Sequence, residues 1–214
     1  MKTLAIIAQK GGSGKTTIAV HMAVCAIRHK LKTAIIDLDP QQSAYKWNQS
    51  RPEDRKLDAT IGEAGQAPGL LKQAKAGGID LVIIDTAPHS DSTAAIVAQI
   101  ADFVLIPCRP ARFDLDALPS TAQIAKLART PFAVVINGAP RGKLAEEARG
   151  VLKEQGIVVL DTVLYQRAAY SHAVIDGRSV HEYEPHGKAA AEIDTLYNHL
   201  TKLYGNIKSG GKTK

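Results

Sequence analysis

Short β-branched, apolar runs alternate along this chain with stretches in which apolar residues recur at helical spacing. Residues 3–8, 33–37, 80–85, 103–107, 132–137 and 157–160 read as strands. Between them, residues 15–29, 68–76, 92–100, 114–128 and 143–155 read as helices, and two more are predicted over 168–176 and 188–204. In the last, Ile193, Leu196, Tyr197, Leu200, Leu203 and Tyr204 form one apolar face, expected to pack on the sheet rather than lie on a membrane. Residues 51–57 and 62–69 read as loops and 138–142 as a turn. Alternation of this kind predicts an α/β fold: a doubly wound, mainly parallel sheet of about seven strands with helices on both faces. With no repeat or linker in view, residues 1–207 are expected to form one domain, followed by a flexible basic tail over 208–214.

Composition sharpens this picture only in places. An apolar fraction of 45% with 22% charged residues excludes a disordered chain. Three Phe and one Trp leave Ile, Val, Leu and Ala to build the core, which suits strands buried on both faces. Cys25 and Cys108 lie far apart without paired spacing, so a reduced, cytoplasmic setting is expected. The first apolar run ends at Ala8, too short for a signal peptide core or a membrane span, and no later run is long enough. The 27 basic and 21 acidic side chains give a net charge of +6, which is compatible with plain solubility and with contact to a polyanion.

Chemistry enters where the first strand ends. Lys10-Gly11-Gly12-Ser13-Gly14-Lys15-Thr16-Thr17 joins that strand to a helix. Backbone amides from Gly11 to Lys15 can converge there on phosphate oxygens, and glycine lets the loop approach an anion closely. Lys15 supplies a point charge for β- and γ-phosphates, and the Thr16 hydroxyl is placed to ligate Mg²⁺. Two strands then end in carboxylates, in Asp37-Leu38-Asp39-Pro40-Gln41 and in Leu81-Val82-Ile83-Ile84-Asp85. Carboxylates at strand ends of an open α/β sheet face the ligand crevice, and Asp85 fits the acidic residue that holds Mg²⁺.

The loop departs from the usual P-loop pattern, with Gln9 where glycine is common and a second lysine, Lys10, inside it. In this it resembles the deviant Walker A signature of the ParA/MinD family of ATPases, in particular the small ParA/ParF-type plasmid partition proteins. Asp37 to Gln41 resemble the family's D-x-D-P-Q segment, and Thr86-Ala87-Pro88 its switch. Ala101 to Pro107 with Arg109-Pro110 and Asp114, Gln166-Arg167, and Val180 to Pro185 with Gly187 resemble later segments. The resemblance implies that ATP and Mg²⁺ are bound and ATP is hydrolysed. Asp39 would position the attacking water, Asp37 would support the Mg²⁺ shell, and Asn137 would contact adenine. It further implies an ATP-dependent sandwich dimer, or a polymer, in which Lys10 reaches the partner's nucleotide. Non-specific DNA binding, a nucleoid-associated location in the cytoplasm and a ParB-like centromere-binding partner that stimulates hydrolysis complete the expectation; the cargo would be plasmid or chromosomal DNA.

Rival readings are a MinD-like protein on a membrane, a relative serving conjugative transfer or a protein cluster, and a metabolic P-loop enzyme. Nothing after residue 204 offers an apolar membrane anchor, and Lys10 with D-x-D-P-Q speaks against the metabolic enzyme. His181 and His186 fit no common metal spacing, His89 reads as an exposed loop residue, and Cys108 as packing. Candidate DNA contacts are Arg141, Lys143, Arg149, Lys153, Arg167, Arg178, Lys188, Lys202 and Lys208.

Overall fold

The computed structural model describes residues 1–88 and 90–203; His89, Tyr204, Lys208 and the tail expected over 208–214 lie outside the described residues. Seven strands are formed: β1 (Lys2–Ile6), β2 (Thr33–Asp37), β3 (Asp58–Ile61), β4 (Leu81–Asp85), β5 (Phe103–Cys108), β6 (Phe132–Ala139) and β7 (Val159–Tyr165). They make one all-parallel sheet in the order β3-β2-β4-β1-β5-β6-β7. The helices are α1 (Lys15–Arg28), α2 (Ser43–Gln49), α3 (Ala67–Ala76), α4 (Asp91–Ile100), α5 (Arg112–Leu127), α6 (Leu144–Glu154), α7 (Ala168–Ile175), α8 (Val180–Tyr183) and α9 (Lys188–Leu203).

Strand alternation explains why both faces are covered. Leu4 and Ile6, with Ile35, Ile83 and Leu105, point to one face, where α1, α2 and α7 to α9 pack. Ala5 and Ile7, with Ile36, Ile84 and Ile106, point to the other, under α3 to α6. The helix side follows the direction of travel: steps toward the β3 edge use α1 and α2, and steps toward the β7 edge use α3 to α6. Right-handed crossovers require that change of side. In α9, Ile193, Leu196, Tyr197 and Leu200 are buried on the sheet as expected, whereas Leu203 is 51% exposed. No helix among the described residues is long and apolar enough to cross a membrane.

The sequence reading differs from the structure mainly at the margins. β3 is an edge strand with no fully buried residue, so it carries no apolar run to read. The expected loop over 62–69 contains a short 3-10 turn and the start of α3, and β7 runs on to Tyr165, beyond its predicted end at 160. α8, only four residues long, is fixed from outside its own sequence. Ser179 and Glu182 form a capping box, and Arg51 makes a bidentate pair with Glu182 at 2.7 and 3.0 Å while stacking on Trp47 at 4.6 Å.

α1 also contains a fully buried imidazole, His21, whose Nδ1 accepts from the Val180 amide at 3.3 Å and whose ring lies 5.4 Å from that of Tyr170. Burial, with His181 adding to it, pushes the His21 pKa down from 6.5 to about 3. The folded state therefore holds this ring neutral, whereas the unfolded chain protonates it below about pH 6.5. Stability from this group is complete above that value and is lost as pH falls toward 3. Between pH 7 and pH 5 the loss from His21 alone is about 2 kcal/mol. Urea unfolding at both pH values should show His21→Gln losing less stability than the natural chain by about that amount; equal losses would contradict the assignment.

Candidate functional site

β1, β2 and β4 are adjacent and in register, so that Asp37 and Asp85 stand side by side with Ile6 opposite Asp85. The loop after β1 turns back over these strand ends before Lys15 opens α1. Two glycines make the turn possible, with φ of 71° at Gly12 and 95° at Gly14. A side chain at Gly14 would collide with the amide of Asn137, which donates to the Ser13 carbonyl at 2.6 Å and so braces the loop from the end of β6. Gly11 faces open space.

The three carboxylates are in different states. Both oxygens of Asp37 are occupied, one by the Asp39 amide and the other by the Tyr45 amide, each at 3.0 Å. Asp37 therefore holds the shape of the loop that presents Asp39. Asp39 is half-buried and accepts from the Gln41 amide at 2.9 Å. Asp85 is completely buried, and neither of its oxygens has a hydrogen bond of normal geometry among the described residues. Burial raises its pKa to about 7; the Thr16 hydroxyl and Lys15 pull it down, and Asp37 and Asp39 push it up. Lys15 is buried too, and desolvation lowers its pKa against the pull of Asp85 and Asp39. An unpartnered buried carboxylate beside a hydroxyl and an ammonium is an environment that a hard divalent cation satisfies.

A cavity of about 490 Å³ opens over the loop. Gly12, Gly14, Lys15, Thr16, Thr17 and Asp39 line it together with Asn137, Tyr165, Gln166, Arg167 and Tyr170. The predicted residues Gly12, Gly14, Lys15, Thr16, Thr17, Asp39 and Asn137 are thus brought together on its wall. Ser13 is buried, its carbonyl accepts from Asn137, and it does not line the cavity. Asp39 also borders a second cavity, of about 690 Å³, between the loop after β2 and the start of α4. Lys10 lines neither; its ammonium sits 6.0 Å from the ring centre of the exposed Phe113 on α5, and it forms no ion pair among the described residues.

Sequence reasoning assigned no role to Arg109, whose guanidinium lies 3.6 Å from where a side chain on Gly12 would begin. Tyr165, Gln166 and Tyr170 likewise carry no defined role in the sequence, and Arg167, expected as a DNA contact, instead lies on the cavity wall paired with Glu192. The available signal was positional, since each follows or closes a strand on the crevice side of the sheet. Gln9, where the common pattern has glycine, joins three elements: its amide donates to Asp91 of α4 at 2.6 Å, and its carbonyl accepts from Ser120 of α5 at 2.5 Å.

The sequence pattern described as the CobQ/CobB/MinD/ParA nucleotide binding domain matches residues 4–180. The chain is 33% identical over 208 residues to the maintenance of carboxysome distribution protein A of Gloeobacter kilaueensis, covering 94% of this chain and 93% of that protein. It is 24% identical over 208 residues to protein ParA of Rhizobium radiobacter, covering 91% and 92%. The structure of the septum site-determining protein MinD with Mg-ADP from Pyrococcus horikoshii superposes with a TM-score of 0.77 at 18% identity, over 97% of this chain and 99% of that one. Sequence pattern and overall likeness agree with the geometry of the crevice: this chain belongs to the ParA/MinD family of nucleotide-binding proteins.

Proposed function

We propose that this chain is a ParA-type ATPase that uses ATP binding to dimerise and ATP hydrolysis to separate, positioning a cargo over DNA. The observation that carries the reading is the buried, unpartnered Asp85 beside Lys15 and Thr16 under a glycine loop. ParA/MinD-family proteins are ATPases that dimerise and work with partners. In this reading the amides of residues 11–15, Lys15 and Arg109 hold the phosphates. Thr16 and Asp85 hold Mg²⁺, which when bound neutralises phosphate charge, and Asp37 braces the loop beside them. Asp39, on the wall between the two cavities, orients the attacking water. Asn137 contributes its remaining polar atoms to the base, with Tyr165 to Tyr170 closing that end. Lys10, turned away from its own cavity, is free to reach the nucleotide of a second subunit.

The cargo in this reading is plasmid or chromosomal DNA, recruited through a centromere-binding partner. A second reading, in which the cargo is a protein body, is favoured by the 33% identity to a carboxysome distribution protein. Both use the same switch and the same DNA track. Among the nine candidate DNA contacts, Arg149, Arg167 and Arg178 are held by carboxylates. Arg141, Lys143, Lys153, Lys188 and Lys202 are exposed and form no ion pair among the described residues, so in this reading they meet phosphates.

Removing Asp39 should separate binding from turnover. Asp39→Ala is expected to keep ATP affinity within about threefold, lower phosphate release by at least about a hundredfold, and accumulate as a dimer in ATP by sedimentation. Phosphate release at the natural rate would remove Asp39 from the mechanism. DNA binding should appear with ATP and fade with ADP, because joining two weak basic surfaces raises their effective concentration. Fluorescence anisotropy with two unrelated duplexes should show equal affinities that fall steeply with salt. Equal binding in ATP and ADP would contradict dimer-gated DNA contact.

A further inference from the structure

At the far end of α1, four side chains capable of binding a metal meet from three helices. Cys25 lies in the last turn of α1 and His29 directly follows that helix, Asp194 comes from α9, and His181 from α8. The Cys25 sulfur is 3.4 Å from Asp194 Oδ1, and His181 Nε2 is 2.8 Å from the same oxygen. One ligand atom each from Cys25, His29 and Asp194 can be chosen so that all lie within 4.8 Å of one another. Around a tetrahedral Zn²⁺, with bonds of about 2.0 to 2.3 Å, such atoms stand roughly 3.3–3.6 Å apart. The Cys–Asp pair already stands at that separation.

Two further features favour a ligand over a simple hydrogen-bonded cluster. The His29 ring is stacked on Tyr197, with centroids 4.3 Å apart and planes 12° apart, which orients it while leaving its nitrogens without a hydrogen bond among the described residues. His181 is 2% exposed, and its Nδ1 is buried without a partner. A buried imidazole locked against a carboxylate is the arrangement by which outer groups orient a metal-binding carboxylate. Burial and then Asp194 push the Cys25 thiol up, and Arg28 pulls it back down.

We propose that Cys25, His29 and Asp194 form a binding site for a borderline-soft divalent cation such as Zn²⁺, with His181 positioning Asp194 from behind. The set of one sulfur, one imidazole and one carboxylate suits Zn²⁺ and not Mg²⁺, which prefers oxygen alone. Binding displaces the Cys25 thiol proton to solvent, so the thiolate becomes the ligand and one proton is released per cation from that group. Cys25 is ten residues from Lys15 along α1, about 15 Å at the helical rise, so this site is separate from the nucleotide crevice. A bound cation would tie the end of α1 to α8 and to α9. Two residues before Asp194, α9 carries Glu192, which grips Arg167 and Tyr170 on the cavity wall.

The test is titration of the chelator-treated full chain with Co²⁺ as a spectroscopic substitute, followed by competition with Zn²⁺. A thiolate charge-transfer band saturating at one cation per chain is expected, and it should vanish in Cys25→Ser and persist in Cys108→Ser. His29→Ala and Asp194→Asn should each weaken binding by at least about tenfold. Zn²⁺ should displace Co²⁺ and raise the melting temperature of the natural chain. Absence of the band, its survival in Cys25→Ser, or unchanged affinity in both His29→Ala and Asp194→Asn would overturn the site. Should Cys25→Ser fail to give a native circular-dichroism spectrum, the other two variants decide the matter.

Discussion

A carboxylate buried without a well-formed hydrogen bond is unfavourable by several kcal/mol unless something offsets it, and Asp85, with Thr16 and Lys15 beside it, is such a group among the described residues. Its place between β2 and β1 follows from strand order, because the chain leaves β1, builds the β3 edge and only then returns to insert β4. That return sets Asp85 beside Asp37 and beneath the loop that begins α1. The crevice therefore has two opposing demands: excess negative charge at the strand ends, and a buried ammonium and a row of amides above it. A cation with phosphate oxygens would meet both at once.

Much of this was legible because local chemistry and global topology agree. The glycine loop can be read from residues 10–17 since Gly12 and Gly14 occupy backbone conformations that side chains resist. Asp37 and Asp85 close apolar strands, so their place at the crevice follows from strand direction alone. What the sequence left open depends on partners distant in the chain. The role of Asp37 as a brace is visible only in its bonds to Asp39 and Tyr45, and that of Arg109 only in its nearness to Gly12. β3 and α8 are held by neighbours rather than by their own patterns. The fold also assembles Cys25 and His29 with His181 and Asp194, although no spacing in the sequence joins those two pairs.

α1 emerges as the spine of the molecule. Its first residues, Lys15 and Thr16, face the nucleotide crevice, its middle is buried around His21, and its last turn carries Cys25 with His29 directly after it. Tyr170 touches both the crevice and His21, and Glu192 of α9 holds Tyr170 and Arg167 together. Helices α7 and α9 thus reach the cavity through packed and hydrogen-bonded contacts.

The central claim is that the glycine loop, Lys15 and Asp85 form one site for ATP with Mg²⁺. Calorimetric titration of ATP into the chain, with and without Mg²⁺ and repeated on Lys15→Ala, tests it most directly. The account predicts binding that strengthens with Mg²⁺ in the natural chain and weakens by at least about a hundredfold in Lys15→Ala, since that change removes a charge-assisted contact from a buried site. An affinity unchanged by both the cation and the substitution would contradict it.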